Sequence, residues 1–448
     1  MNAGPEQARH DAYERLLLQE VIPALGCTEP SAIALATAKA REVLGSPPDA
    51  VTVLCSGNII KNALSVIVPH AHGQSGIKIA AALGVVAGDA AAGLEVLAPV
   101  TDADVEHARE LVAHEQITVH FVEGIPGLYV AAKVTAGQDD VTVELRDDHS
   151  RFHSITHNGV PLVAPPEQPK QESAPKASER NASESSVGIE DALLDLAGIL
   201  AFADEVDLSA RPELVATLEA QIELNLAIAR EGLSGRYGAA VGATLLEFSD
   251  PNEVRVRARA LTAAGSDARM GGSDMPVMIN SGSGNQGLTV SLPVIEFADS
   301  LGSTHDELLR ALIVSNLVGV YEKKFIGRLS AFCGVVTAAA AAGAGIARLQ
   351  GQDADQIGMA ITNAIATTGG MVCDGAKASC ASKISIAVEN AVSATQLSAR
   401  RRAFPAGEGL VGATPDQTIR NIGRMARTGM RSTDVEILSI MLEQHTTD

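Results

Sequence analysis

The stretch from Ala164 to Ser186, APPEQPKQESAPKASERNASESS, does most to limit how this chain can fold. It carries four prolines and no Val, Ile, Leu, Met or aromatic residue. A segment so poor in apolar surface cannot offset the entropy of ordering it, so the sequence predicts a flexible Pro/Ser/Glu-rich linker over 164–187. The 448-residue chain is thereby expected to divide into a first domain, 1–163, and a second, 188–448.

Periodicity differs on the two sides of this break. Before it, 6–22, 30–44, 74–92 and 103–114 have helical character and Val51–Cys55 reads as a strand. Ile117–Val122, Leu128–Val134, Val141–Leu145 and Phe152–Thr156 then alternate, with turn signals such as EGIPG and AGQDD between them. The expectation is an α+β domain with an antiparallel β meander. After the break almost no strand signal remains. Ala-, Leu- and Ile-rich segments near 189–204, 209–231, 304–322, 328–349, 354–366, 381–400 and 433–443 predict an all-α domain. Trp is absent and Phe and Tyr number only 8 and 4, so its core must be built of small and aliphatic side chains closely packed with glycine.

The formal net charge of −20 argues against a nucleic-acid partner. It leaves room for a small anionic substrate held by local amide donors. The N-terminus lacks the basic and apolar regions of a signal peptide. Leu329–Ala347 is uncharged, but its Ala, Gly, Ser and Thr give too little transfer energy for a membrane span. A cytoplasmic protein with no membrane partner is expected, and five cysteines fit a reducing compartment better than a disulfide framework. A homodimer is a reasonable expectation for helical domains of this size.

Cys55 lies in an apolar strand and reads as core. Cys333 in RLSAFCGVV, and Cys373 and Cys380 in GGMVCDGAKASC, fit neither a zinc-ribbon nor a ferredoxin spacing. Brought together by folding, they can hold a [4Fe–4S] cluster on three of its irons; the alternative is three buried core thiols. Cys27, in PALGCTEPSAIA, precedes a helix start, where free N–H groups favour a thiolate. It is a candidate base, nucleophile or metal ligand, or else an inert thiol in a tight turn. Asn280–Gly287, NSGSGNQG, offers a nest of backbone and amide donors suited to a carboxylate or phosphate, with Ser281, Ser283 and Asn285 as side-chain donors. A second polar island, Ser56–Asn62, presents Asn58, Lys61 and Asn62, although a surface turn is the simpler reading there. His70 and His72 would share a face if their segment were a strand, and Arg400–Arg402 reads as a solvated helix end.

In order along the chain, ALGCTEP, GNIIKNAL, AALG and AGLEVL, EGLSGRYG, SDARMGG, NSGSGNQG, RLSAFC and MVCDGAKASCASK resemble the bacterial and archaeal L-cysteine desulfidases, also called UPF0597 proteins. The second part is similar to the α domain of iron–sulfur L-serine dehydratases. The resemblance spans about residues 8 to 445, and the long 164–186 stretch is its one departure. It implies an oxygen-sensitive [4Fe–4S] enzyme without pyridoxal phosphate, with Cys333, Cys373 and Cys380 as cluster ligands and Cys27 in a catalytic role. The implied activity is elimination of sulfide from L-cysteine to give pyruvate and ammonia. L-serine dehydration by the same chemistry is the near alternative, and a non-catalytic cluster-bearing amino-acid-binding protein the distant one.

Overall fold

A computed structural model of the protein describes residues 5–125, 127–165 and 194–445. Beyond residue 165, the expected linker lies outside the described residues. The chain has the two-part character expected: an α/β part with a largely antiparallel sheet, then a mostly helical part.

The first part contains α1 (Pro5–Glu20), β1 (Pro23–Leu25), α2 (Thr28–Leu44), β2 (Ala50–Cys55), α3 (Gly57–Ala63), α4 (Ile77–Ala87) and α5 (Asp102–Ala113), followed by strands β3 (Ile117–Phe121), β4 (Tyr129–Ala136), β5 (Asp139–Arg146), β6 (Phe152–His157) and β7 (Val160–Val163). The six-stranded sheet runs β3-β2-β4-β5-β6-β7. β4 to β7 form the expected meander, but β3 does not precede β4 in it. β2 lies between them, parallel to β3 and antiparallel to β4. The physical reason is the route: helices α3 to α5 carry the chain from the end of β2 back to its beginning, so β3 enters in the same direction. The helix expected over 74–92 stops at Ala87 and gives way to a 3₁₀ turn at Ala90–Glu95. His70 and His72 lie in a turn with positive φ rather than on a strand, and they bond Asp274 and Asp102 separately.

The helical part contains α6 (Leu196–Glu205), α7 (Pro212–Gly232), α8 (Val241–Phe248), α9 (Val254–Met270), the short β8 (Pro276–Met278), α10 (Gly284–Leu301), α11 (His305–Ile326), α12 (Gly334–Leu349), α13 (Ala354–Thr368), α14 (Cys380–Ala399), α15 (Pro415–Arg424) and α16 (Arg431–His445). At its centre is α12, packed against α10, α11, α13 and α14. From Val335 to Ala347 every residue of α12 is buried. Small side chains make such close helix contacts possible. No helix among the described residues is long and apolar enough to cross a membrane.

Two apolar cores result, and the chain ends cross between them. Tyr13, Leu16 and Leu17 of α1 belong to the core of the helical part. Arg9 and Arg211 tie α1 there through Asp195 and Asp11, each at 2.8 Å. Conversely, Leu438 and Leu442 of α16 pack on the core of the α/β part. β1 pairs with β8 across the same divide.

Candidate active site

The loop around Cys27 is fixed by sterics. Gly26 has φ +66, and a Cβ there would meet Pro69 at 2.2 Å. Cys27 follows as N-cap of α2 and is fully buried. Its thiol points at the Met270 sulfur, 3.9 Å away. The helix-start argument for a thiolate is outweighed: burial pushes the thiol up to about 12, against the favourable charge of Arg269 and with the charges of Glu29 and Cys380 adding to the rise.

One turn into α2, Glu29 accepts from Asn62 Nδ2 at 3.1 Å and from Thr28 Oγ1 at 3.2 Å. His149 Nε2 stands 3.8 Å from the same carboxyl, at ion-pair rather than hydrogen-bond range. Burial opposes ionisation of Glu29, but His149 and Arg269 outweigh it and hold the carboxyl down to about 2.

The Asn280–Gly287 stretch is less of a loop than the sequence suggested. Asn280 to Ser283 is a tight turn, and α10 begins at Gly284. Ser283 is the N-cap, accepting from Gln286 N. Ser281 Oγ donates to Asn280 Oδ1 at 2.8 Å. Asn280 is held from below by Asn316, itself bonded to Gln221, so a buried amide network fixes the turn. Asn285 donates weakly to the Met270 sulfur and leaves its buried Oδ1 without a partner. Gly282 and Gly284 bring the backbone against side chains: a Cβ would stand 2.8 Å from His149 Nδ1 and 2.2 Å from Arg269 Nε, respectively.

The three other expected site cysteines converge from three elements. Cys333 caps α12, Cys380 opens α14, and Cys373 sits on the strand-like crossing of 331–333 with 371–373, with its N–H donating to Ala331 O at 2.7 Å. Burial raises the Cys333 thiol to about 12, and the charges of Cys373 and Cys380 add to the rise. Cys380 also packs against Cys27, Val66 and Met270. Lys323 is buried beside them, and a Cβ on Gly334 would meet its Nζ at 3.1 Å. Burial lowers its amine to about 8, against the favourable charges of Cys373 and Cys333. Of the second polar island, Asn62 reaches Glu29, and Asn58 keeps a buried oxygen without a partner. Lys61 is fully engaged, donating to Asp434 at 2.6 Å and to the carbonyls of Ser330 and Cys373 at 3.3 Å.

These residues form one largely buried polar cluster where the two cores meet. Two surface clefts, one floored by Leu200 and Ile357 and one by Val254 and Phe297, lie away from it. Among the described residues no three His, Cys, Asp or Glu side chains converge closely enough for a single metal ion. A cluster asks for something else, since each thiolate takes a different iron. The donor set fits one: three thiols from rigid element ends, a backbone N–H from Val335 toward Cys333, and the cations Lys323 and Lys383 to balance thiolate charge. Glu29, His149, Arg269 and Lys323 were not singled out from sequence. Glu29 and Arg269 do stand inside the ALGCTEP and SDARMGG motifs, whereas nothing in RDDHSRF marks His149.

A family model for the serine dehydratase alpha chain matches residues 91–439, most of the chain. The chain belongs to this family. Serine dehydratase alpha chains are lyase-type enzymes generally associated with iron–sulfur clusters, and membership implies a small-molecule substrate. The relatives extend the likeness to the N-terminal part. A UPF0597 protein of Lachnoclostridium phytofermentans is 46% identical over 95% of this chain and 98% of its own length. Those of Finegoldia magna and Desulfitobacterium hafniense are 42% and 43% identical, covering 96% and 97% of this chain and 99% and 97% of theirs.

Proposed function

We propose that this member of the family is a [4Fe–4S]-dependent L-cysteine desulfidase of the cytoplasm, with Cys333, Cys373 and Cys380 as cluster ligands. The observation that carries the reading is that the 331–333 and 371–373 segments pair, which brings Cys333 and Cys373 to one bridge, while Cys380 packs against Cys27. A cluster held by three cysteines supplies an open iron that acts as a Lewis acid on a poor leaving group.

The chain's own residues account for the rest. Cys27 is the residue proposed to take the proton from the substrate α-carbon; burial raises its thiol, and the neighbouring Arg269 charge works against that rise. Ser281, Ser283 and Asn285, at the start of α10, orient the substrate through hydrogen bonds. Asn58 belongs to the same proposed lining, and Asn62 acts by aiming Glu29. Lys61 is proposed to serve the site indirectly, by fixing the Ser330 and Cys373 carbonyls. Loss of the α-proton and departure of sulfur with its bonding electrons leaves 2-aminoacrylate. This tautomerises to the imine, and water then releases pyruvate and ammonia.

The test is iron, acid-labile sulfide and pyruvate formation on protein purified without oxygen. About four irons and four sulfides per chain, falling in each of Cys333→Ser, Cys373→Ser and Cys380→Ser, is the expected result. Iron near zero after anaerobic reconstitution would falsify the cluster assignment. L-serine is the second substrate to compare, because the family bears its name. A higher kcat/KM on serine than on cysteine would turn the assignment to a dehydratase.

A further inference from the structure

Arg269 is buried at 3% exposure, yet it makes no hydrogen bond or salt bridge among the described residues, and its Nε is shut off from solvent with no partner. A guanidinium has five donors and cannot lose its proton, so a buried one whose Nε has no partner is suited to take an acceptor. Its surroundings say of what kind. The start of α10, the positive end of an 18-residue helix, lies directly against it at Gly284. The guanidinium and the helix start are both positive, an arrangement that an anion relieves. Glu29 is also buried within reach of its charge, fixed by Asn62 and Thr28. Arg269 and Glu29 act on one another and, in opposite senses, on Cys27. The open valences of Asn285 and His149 border the same space.

We propose that Arg269 and Glu29 are the paired charges that recognise the two ends of an amino-acid zwitterion. The carboxylate docks between the Arg269 guanidinium and the first turn of α10, and the ammonium faces Glu29. The α-carbon is thereby held beside Cys27. The inference rests on the amino-acid lyase reading above and names the residues that would make the enzyme selective for α-amino acids.

The experiment is anaerobic calorimetry on the iron-loaded protein with three ligands. L-alanine has both ends and no leaving group, L-alaninamide lacks the carboxylate, and propionate lacks the ammonium. Wild type is expected to bind L-alanine about a hundredfold more tightly than either of the others. Arg269→Gln removes the preference over L-alaninamide and keeps the preference over propionate, and Glu29→Gln does the reverse. Equal binding of the three ligands by wild type, or no binding of L-alanine, overturns the proposal. So does an Arg269→Gln protein that keeps both preferences, because Arg269 would then only balance the charge of Glu29. If Arg269→Gln does not fold, Arg269→Lys is read in its place: it is expected to weaken L-alanine binding about tenfold and leave L-alaninamide binding unchanged, and unchanged L-alanine binding overturns the proposal. Iron content and pyruvate release from the same preparations test the lyase reading separately. Selective binding without turnover removes the lyase and keeps the clamp; turnover without selectivity does the opposite.

Discussion

A carboxyl buried without a counter-charge ties stability to pH, and Asp267 in α9 is such a group. Its Oδ2 accepts from Gly242 N at 3.0 Å, its Oδ1 has no partner, and burial pushes it up to about 6. Because the folded value lies above the unfolded one, the native state holds the extra proton between about pH 4 and 6. Stability therefore falls as pH rises through that window and stays lowered above it. Asp267→Asn is expected to gain about 1–3 kcal/mol at pH 8 in urea unfolding, with the gain gone at pH 4. No gain at pH 8 would show that the carboxylate finds compensation when ionised. Cys27→Ser is the other variant at this scale. It is expected to keep its iron and lose about 10²- to 10⁴-fold in turnover, read from iron content and pyruvate release together. Loss of iron would instead make Cys27 a ligand. The cysteines were legible because thiols are rare and stand among glycines. The charged half of the site was not. A buried Glu or Arg looks in sequence like any surface charge, and only the fold shows that Glu29 and Arg269 are buried.

Between elements, closeness is set by what is missing from side chains. Gly232 at the end of α7 lies so near α9 that a Cβ would stand 1.9 Å from the Ala264 carbonyl oxygen. Backbone cannot retreat as a side-chain tip can, so Gly232→Ala is expected to cost about 1–3 kcal/mol in chemical unfolding. A control such as Gly351→Ala would not report on crowding, because the positive φ there adds its own strain. The Lys61–Asp434 pair joins α3 to α16, with the lysine almost wholly buried. Asp434→Ala leaves that ammonium without its anion and is expected to cost about 3 kcal/mol by the same measurement. It should also loosen the Cys373 segment, seen as faster loss of iron to a chelator. An unchanged midpoint would mean that the two carbonyls suffice. Periodicity found most of the helices here but missed α8, α9, α10 and α15; the first turn of α10 reads GNQG. Four residues with no apolar period hide a helix start when the same glycines suit a turn. Parallel pairing of β2 with β3 was likewise illegible, since a strand's partner depends on a return path made of three helices.

For the molecule as a whole, the division into an α/β part and a helical part was legible because the apolar period changes from two residues to nearly four across one proline-rich stretch. The crossing of the ends was not, because nothing local in α1 or α16 says which core its apolar face will meet. That crossing makes the two parts interdependent. Calorimetry of the intact protein is expected to show one unfolding transition, and residues 1–163 expressed alone should lack a cooperative transition. Two separated transitions in the full chain would show that α1, α16 and the β1–β8 pair contribute little.

There is also a consequence in time. α1 is synthesised well before the helices that receive it, and α16 well after the α3 on which it packs. The site is therefore completed only once α16 has been made. Until then the thiols of Cys27 and Cys333 are open to whatever oxidant or metal arrives first. On the proposed cluster assignment, iron loading follows the synthesis of α16, and a nascent chain stalled near residue 430 would present Cys333, Cys373 and Cys380 without the cover of α16.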